Sequence, residues 1–375
     1  MRAGFNKLFY FFIFIFLLYS CSENPVFPDP VSESASLEAY ASMASSGVST
    51  SLATPYNNLF TRYGNGWTGG DGVYSVALPD GRILWLFGDS FLDTVYADRS
   101  RPGSSLIRNT FMVQQGKVFT TLVGGTIDDP SPMVGTDDPE NEWYWPLDGT
   151  VVGDELHLFM AYFIRTGAGA WDFAYQRTDK VTYSLPAIAE TGRTTVSENP
   201  DVEFGAAVME DGEYIYIYGA EFVPLTKYMH VARVPADNID APWEYYDGFG
   251  WTTTFPGEDG RLVKGNGLPV DVSAQFSVFF HEGKYRMLTQ EGFLGPKIHT
   301  YESTSPTGPW KKKTLVYTTP ESGSLFTYNA LIHPEITKPG GSSVLMSYCV
   351  NTSNFFELFS NADSYRPYFV WVDFL

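Results

Sequence analysis

Cysteine is nearly absent: Cys21 and Cys349 are the only two in 375 residues, so a disulfide framework or a cysteine zinc site is excluded. Charge is also sparse, at 18% of residues, and the basic side is the poorer, with 24 Lys and Arg against 43 Asp and Glu. The longest basic run is Lys311 to Lys313. Nucleic acid is bound through clusters of Lys and Arg, so it is excluded as a partner. The net charge of −19 also disfavours docking of the folded body on anionic lipid. His residues number five and show no zinc-binding spacing. No G-x-S-x-G elbow, phosphate-binding loop or dinucleotide fingerprint is present. What the chain has in quantity is aromatic residues, at 17%, with 35 Gly and 24 Pro. That mixture argues against helical bundles, coiled coils and bulk disorder, and favours many short strands joined by turns.

One long apolar run exists, Leu8 to Tyr19, preceded by Arg2 and Lys7. It has the length of a signal-peptide core and is short for a membrane span. It ends in Leu18-Tyr19-Ser20-Cys21, which resembles a bacterial lipobox. Residues 1–21 therefore read as a lipoprotein signal with Cys21 as the lipidated residue. This implies membrane attachment through a lipid anchor at the bacterial cell envelope, on the periplasmic or surface face of the outer membrane. Residues 22–55, rich in Ser, Ala and Pro, read as a tether, and residues 56–375 as one folded domain. Cys349, within an apolar stretch, reads as a buried thiol.

A single pattern recurs five times in that domain. A polar residue opens an apolar strand, a Gly turn follows, and an aromatic-rich strand returns. The openings are Asp71, Asp148, Glu203, Gln275 and Asn329, spaced by 77, 55, 72 and 54 residues. A β unit of that length holds about four short strands with long loops. Repetition at such intervals predicts an all-β, five-bladed β-propeller, with the openings gathered around one mouth of an axial channel.

The openings Asp71, Asp148 and Glu203 resemble the three inner-strand acids of five-bladed glycosidases such as glycoside hydrolase family 43. The segment from Trp67 to Phe91, together with His333-Pro334-Glu335, is similar to bacterial domain-of-unknown-function families 5005 and 4185, over about residues 57–375. The resemblance implies hydrolysis of a glycosidic bond in a polysaccharide or oligosaccharide, with Asp71 as base, Glu203 as acid and Asp148 as the orienting third acid. Gly72 stands where family 43 usually has Pro, and the fourth opening is Gln275.

Glycoside hydrolysis asks for one protonated and one ionised carboxyl, and like-charge neighbours separate the two pKa values. Asp89 reads as a substrate ligand or as a structural acid bonded to loop amides. Gln275, Glu291, Asn329, His333 and Glu335 are further candidates for lining the cleft, and His333 with Glu335 alternatively forms a satisfied buried pair. Trp67 and Trp145 are expected as wet aromatic walls against sugar faces. The chemistry requires no cofactor, and calcium held by axial carboxylates stays open. A non-catalytic glycan-binding lipoprotein on the same fold is the alternative.

Overall fold

A computed structural model describes residues 47–375 apart from positions 293 and 324. The signal, Cys21 and most of the expected tether lie outside the described residues.

The five hairpins expected from the sequence are each the start of an antiparallel meander. The first sheet is built from Tyr74–Ala77, Ile83–Phe87, Thr110–Gln115 and Val118–Leu122. The second comprises Glu142–Val152, Glu155–Arg165, Phe173–Ser184 and Ala189–Ser197. The third begins with Val202–Asp211, Tyr214–Val223 and Thr226–Pro235 and ends in two short strands. The fourth holds Ser277–His281, Lys284–Gln290, Lys297–Ser303 and Lys311–Thr318. In the fifth, Phe326–Thr337, Val344–Asn351 and Pro367–Phe374 are followed spatially by Val48–Leu52. The tight turns between first and second strands need a left-handed residue: Gly153 and Gly212 have φ of +65° and +61°.

The high aromatic content follows from how the sheets meet. The first strand of each sheet touches the first strand of the next, and that of the fifth touches that of the first. Every junction is filled by its own apolar cluster. Phe111 and Leu158 meet between the first and second sheets. Phe159 and Ile217 meet between the second and third, Tyr218 and Met287 between the third and fourth, and Leu288 and Met346 between the fourth and fifth. Trp85, Phe87, Leu345 and Phe369 seal the fifth sheet to the first. A strand buried on both faces cannot alternate apolar and polar residues, which explains runs such as Ile83-Leu-Trp-Leu-Phe.

The expected domain boundary at residue 56 falls late. Residues 48–52 are the outermost strand of the fifth sheet, with Val48 opposite Phe374 and Leu52 opposite Val370. Thr54–Leu59 is then a short helix, begun by Pro55, that carries Tyr56 and Phe60 onto Trp85 and Phe369. Its last turn leads into Trp67, which is fully buried against Phe60 and Phe87. Trp67 is therefore core and presents no face to a ligand. Its place beside Asp71 in the sequence comes from the strand that precedes the opening.

The pairing of Val48–Leu52 joins the two ends of the described chain. A chain begun at Ala53 loses that ladder and the burial of Val48, worth about 3 kcal/mol. Relative to a chain begun at Gly47, its thermal midpoint is expected to fall by roughly 4 °C in a calorimetric scan; equal midpoints would mean that the strand contributes nothing.

Candidate active site

Asp71 precedes the first strand of the first sheet, and Asp89 follows the second. The hairpin brings them together: the Gly88 amide donates to the Asp71 carbonyl at 2.8 Å. The Asp71 carboxylate lies over Gly88, where a Cβ would stand 2.6 Å from Oδ1 and 3.5 Å from the Trp145 ring. Only glycine fits there. The Tyr328 hydroxyl donates to Asp71 Oδ2 at 2.8 Å, and Tyr365 forms a second hydrogen bond to the carboxylate. Asn351 in turn donates to the Tyr328 oxygen at 3.3 Å.

Asp89 has different company. It accepts from Trp145 Nε1 at 2.8 Å and pairs with the Arg108 guanidinium at 3.1 Å. Arg108 stacks on Trp143, 4.3 Å from the ring centre. Asp89 is thus held by an arginine from the loop before Thr110–Gln115 and by an indole from the second sheet. Burial raises the pKa of both acids. For Asp71 it reaches about 7, with the nearby Asp89 charge adding to the rise and the two tyrosine hydroxyls opposing it. For Asp89 burial acts against Arg108 and Trp145, which favour the ionised form.

Gln275 faces the same place. A Cβ on Gly72 would stand 3.5 Å from its side-chain nitrogen, and its buried Oε1 has no hydrogen-bond partner among the described residues. A buried amide oxygen left unpaired costs stability, so its position on this wall is a ready acceptor for a bound hydroxyl.

The other two expected acids have no described contact with Asp71, although Glu203 stands at the opening of the first strand of the third sheet as expected. Both oxygens of Asp148 are engaged by backbone amides, those of Gly149 at 2.9 Å and Val208 at 2.8 Å, and the second tie joins two sheets. Asp148 lines a cavity of about 540 Å³ together with Ser75, Thr150, Glu210, Ser277 and Glu335. Glu203 is 5% exposed, with Lys227 as its compensating charge. Burial raises Asp148, Glu203 and Glu335 to about 7, and Glu335 adds to the rise at Asp148. The Tyr74 hydroxyl, bonded to the Ala206 carbonyl at 3.0 Å, feels the charge of both Asp148 and Glu203. No described contact joins Asp71 to Glu203.

His333 belongs to the satisfied pair. Its Nδ1 meets Ser75 Oγ at 2.6 Å and its Nε2 meets Ser347 Oγ at 2.8 Å, while Ser75 also bonds Glu335. Burial lowers its pKa to about 3, so the ring is neutral. With both nitrogens committed, it is available neither to a metal nor to a substrate. Among the described residues, no group of three or more His, Cys, Asp or Glu side chains is arranged to hold a metal ion. Glu291 is exposed at the end of its strand, where its amide pairs with Lys297. Asn329 occupies a bulge with φ of +53°. Neither has a described contact with the Asp71 cluster. Trp145 stays at the site as expected, as a hydrogen-bond donor to Asp89. Arg108, Tyr328 and Tyr365 were not foreseen. They stand in loops and in the fifth sheet with no motif to mark them.

Acids raised from ordinary values near 4 to about 7 bind more protons in the folded than in the unfolded chain across that interval. Stability therefore falls as pH rises from about 4 to about 7. Glu203→Gln removes one such group. The thermal midpoint of the parent should decline between pH 5 and pH 8, and that of E203Q should decline less, lying a few degrees above the parent at pH 8. Parallel curves would show that Glu203 titrates normally.

Comparison with known proteins places these observations. A "putative hydrolase" from Bacteroides ovatus ATCC 8483 superimposes with a TM-score of 0.75 at 26% identity, covering 87% of this chain and 90% of that one. The xylose complex of a GH43_1 enzyme from Xanthomonas citri gives a TM-score of 0.48 at 14% identity, over 90% of this chain and 93% of that one. The Notoamide biosynthesis cluster protein J of Aspergillus sp. (strain MF297-2) is 29% identical over 151 residues, and the match spans 39% of each chain. Residues 53–373 match one family throughout, and the chain belongs to it: the Domain of unknown function (DUF5005) family.

Proposed function

We propose that the chain is a five-bladed β-propeller glycoside hydrolase whose working carboxyls are Asp71 and Asp89. Five consecutive meanders, their cyclic first-strand contacts and five apolar junctions support the propeller. The observation that carries the activity is the pairing of two neighbouring acids in unlike settings. Asp71 has no cation beside it, and burial raises its pKa to about 7, so it can carry a proton near neutral pH. Asp89 is also raised by burial, but the Arg108 charge and the Trp145 hydrogen bond favour its ionised form, so of the two it is the better base.

In this reading Asp71 gives its proton to the glycosidic oxygen as the bond to the anomeric carbon breaks. Asp89 takes a proton from a water molecule as that water's oxygen bonds to the anomeric carbon, so the released sugar carries the new hydroxyl and Asp89 the proton. Gln275 and Asn351 offer hydrogen bonds to sugar hydroxyls. In this reading Asp71, expected as the base, becomes the acid; Asp148, tied to two backbone amides, is structural, and Glu203, the expected proton donor, adds negative charge near the strand openings. The resemblance to families 43 and 4185 supports glycosidic chemistry, and the hydrolase likeness of the Bacteroides protein agrees with it. The resemblance of Leu18-Tyr19-Ser20-Cys21 to a lipobox supports a place in the bacterial cell envelope, with anchoring to the outer membrane through Cys21.

Incubation with a panel of neutral and acidic glycans, reading released sugar, tests the assignment. Asp71→Asn and Asp89→Asn should each lower kcat by about 10²–10⁴-fold, whereas E203Q should retain turnover within about tenfold. Loss with E203Q and retention with D89N would return the acid to the third sheet. Binding of glycan by the parent without release of sugar would make the chain a glycan-binding protein. For the anchor, expression with labelled palmitate should label the parent and not Cys21→Ala; equal labelling would refute lipidation at that residue.

A further inference from the structure

Two aromatic tracks leave the carboxyl pair in opposite directions. The first starts at Trp145, whose indole nitrogen donates to Asp89. Trp145 meets Phe173 with ring centres 5.2 Å apart, and Phe173 meets Trp171 at 6.4 Å. Trp171 is 80% exposed. The second starts at Tyr365, hydrogen-bonded to Asp71. Tyr365 meets Phe91 at 5.8 Å, Phe91 meets Phe359 at 5.4 Å, Phe359 meets Phe355 at 5.4 Å and Phe355 meets Phe356 at 6.4 Å. Phe355 and Phe356 are 53% and 80% exposed.

Both tracks end on the same face. In an antiparallel meander, the connection from second to third strand lies at the end where the first strand begins. Asp89, Trp171 and Phe355-Phe356 occupy that connection in the first, second and fifth sheets. The second and fifth sheets flank the first, so the carboxyl pair lies between the two exposed ends.

Large apolar rings left in water beside a polar cleft mark a contact surface. Flat rings at its rim suit the C–H faces of pyranose or furanose rings. A net charge of −19 opposes a polyanionic chain and an anionic lipid surface alike. Phe91 and Tyr365 are buried and only prop the second track, so its contact surface is its exposed end. We infer that the mouth binds an extended, uncharged glycan that spans from Trp171 on one side to Phe355 and Phe356 on the other, so that the cleaved bond is internal to the polymer. This rests on the glycosidase reading of the same site and adds the substrate's length and charge.

Affinity electrophoresis through gels containing linear arabinan, xylan, β-1,3-galactan or polygalacturonate tests it, using the parent, Trp171→Ala and the double variant F355A/F356A. At least one neutral polymer should retard the parent, and polygalacturonate should not. Each rim variant should lose affinity by about fivefold or more. On a trisaccharide of the same sugar, the rim variants should turn over as the parent does. Three results overturn the inference: rim variants that bind polymer like the parent, preference for polygalacturonate, or no retardation by any neutral polymer. Retention on phosphatidylcholine vesicles that the rim variants lose would assign the rings to lipid instead and overturn it too. Rim-dependent retention without sugar release would refute the glycosidase reading alone. Internal cleavage that ignores the rim would refute this inference alone.

Discussion

The hydrogen bond from Tyr328 to Asp71 crosses from the last sheet to the first, between residues 257 positions apart in the chain. Everything at the mouth depends on that junction. Trp145 reaches Asp89 from the second sheet, and Tyr328, its oxygen accepting from Asn351, reaches Asp71 from the fifth. The junction itself is held by an aromatic cluster that includes Trp67, Trp85, Phe87 and Phe369. Its outer edge is held by Val48–Leu52. A site assembled from three sheets is only as well positioned as their packing, and here the packing is among large rigid rings. Such rings bury much area for little loss of side-chain freedom.

The acids divide by what surrounds them. Glu221, gripped by Arg261 and His230, has its pKa lowered to about 2 and is a fixed strut. Asp71, Asp148, Glu203 and Glu335 form no ion pair and are pushed to about 7. The fold therefore retains several acids that would be easier to ionise in water. Asp71 and Asp89 meet that penalty with unlike partners, two tyrosine hydroxyls for one and an arginine with an indole for the other. In the cavity lined by Asp148 the same penalty is offset by hydrogen bonds from the Gly149 and Val208 amides.

Much of this architecture was legible. A polar opening, a Gly turn and an aromatic return strand are local signals, and all five hairpins stand where those signals are. The position of Asp71 was legible for the same reason, as the polar residue just before the first strand of the first sheet. The closing strand was not. Val48-Ser-Thr-Ser-Leu has two apolar residues in five, and its pairing with Phe374 lies 326 positions away. Trp67 illustrates the complementary failure, because nearness in sequence to a site residue says nothing about burial. Asp89 was recognised without its partners. Arg108 and Trp145 come from a long loop and another sheet, and no spacing rule connects them to a Gly-Asp-Ser turn.

The first strand also settles where the ends of the fifth sheet lie. Val48 pairs with Phe374 at the end of the fifth sheet remote from Asp71, and the chain reaches the Asp71 face only at Leu52. The Gly47 carbonyl accepts from the Leu375 amide at that same remote end. Positions 47 and 375 therefore lie side by side on the far side of the sheet from the carboxyl pair, and a label placed at either would leave Asp71 and Asp89 untouched.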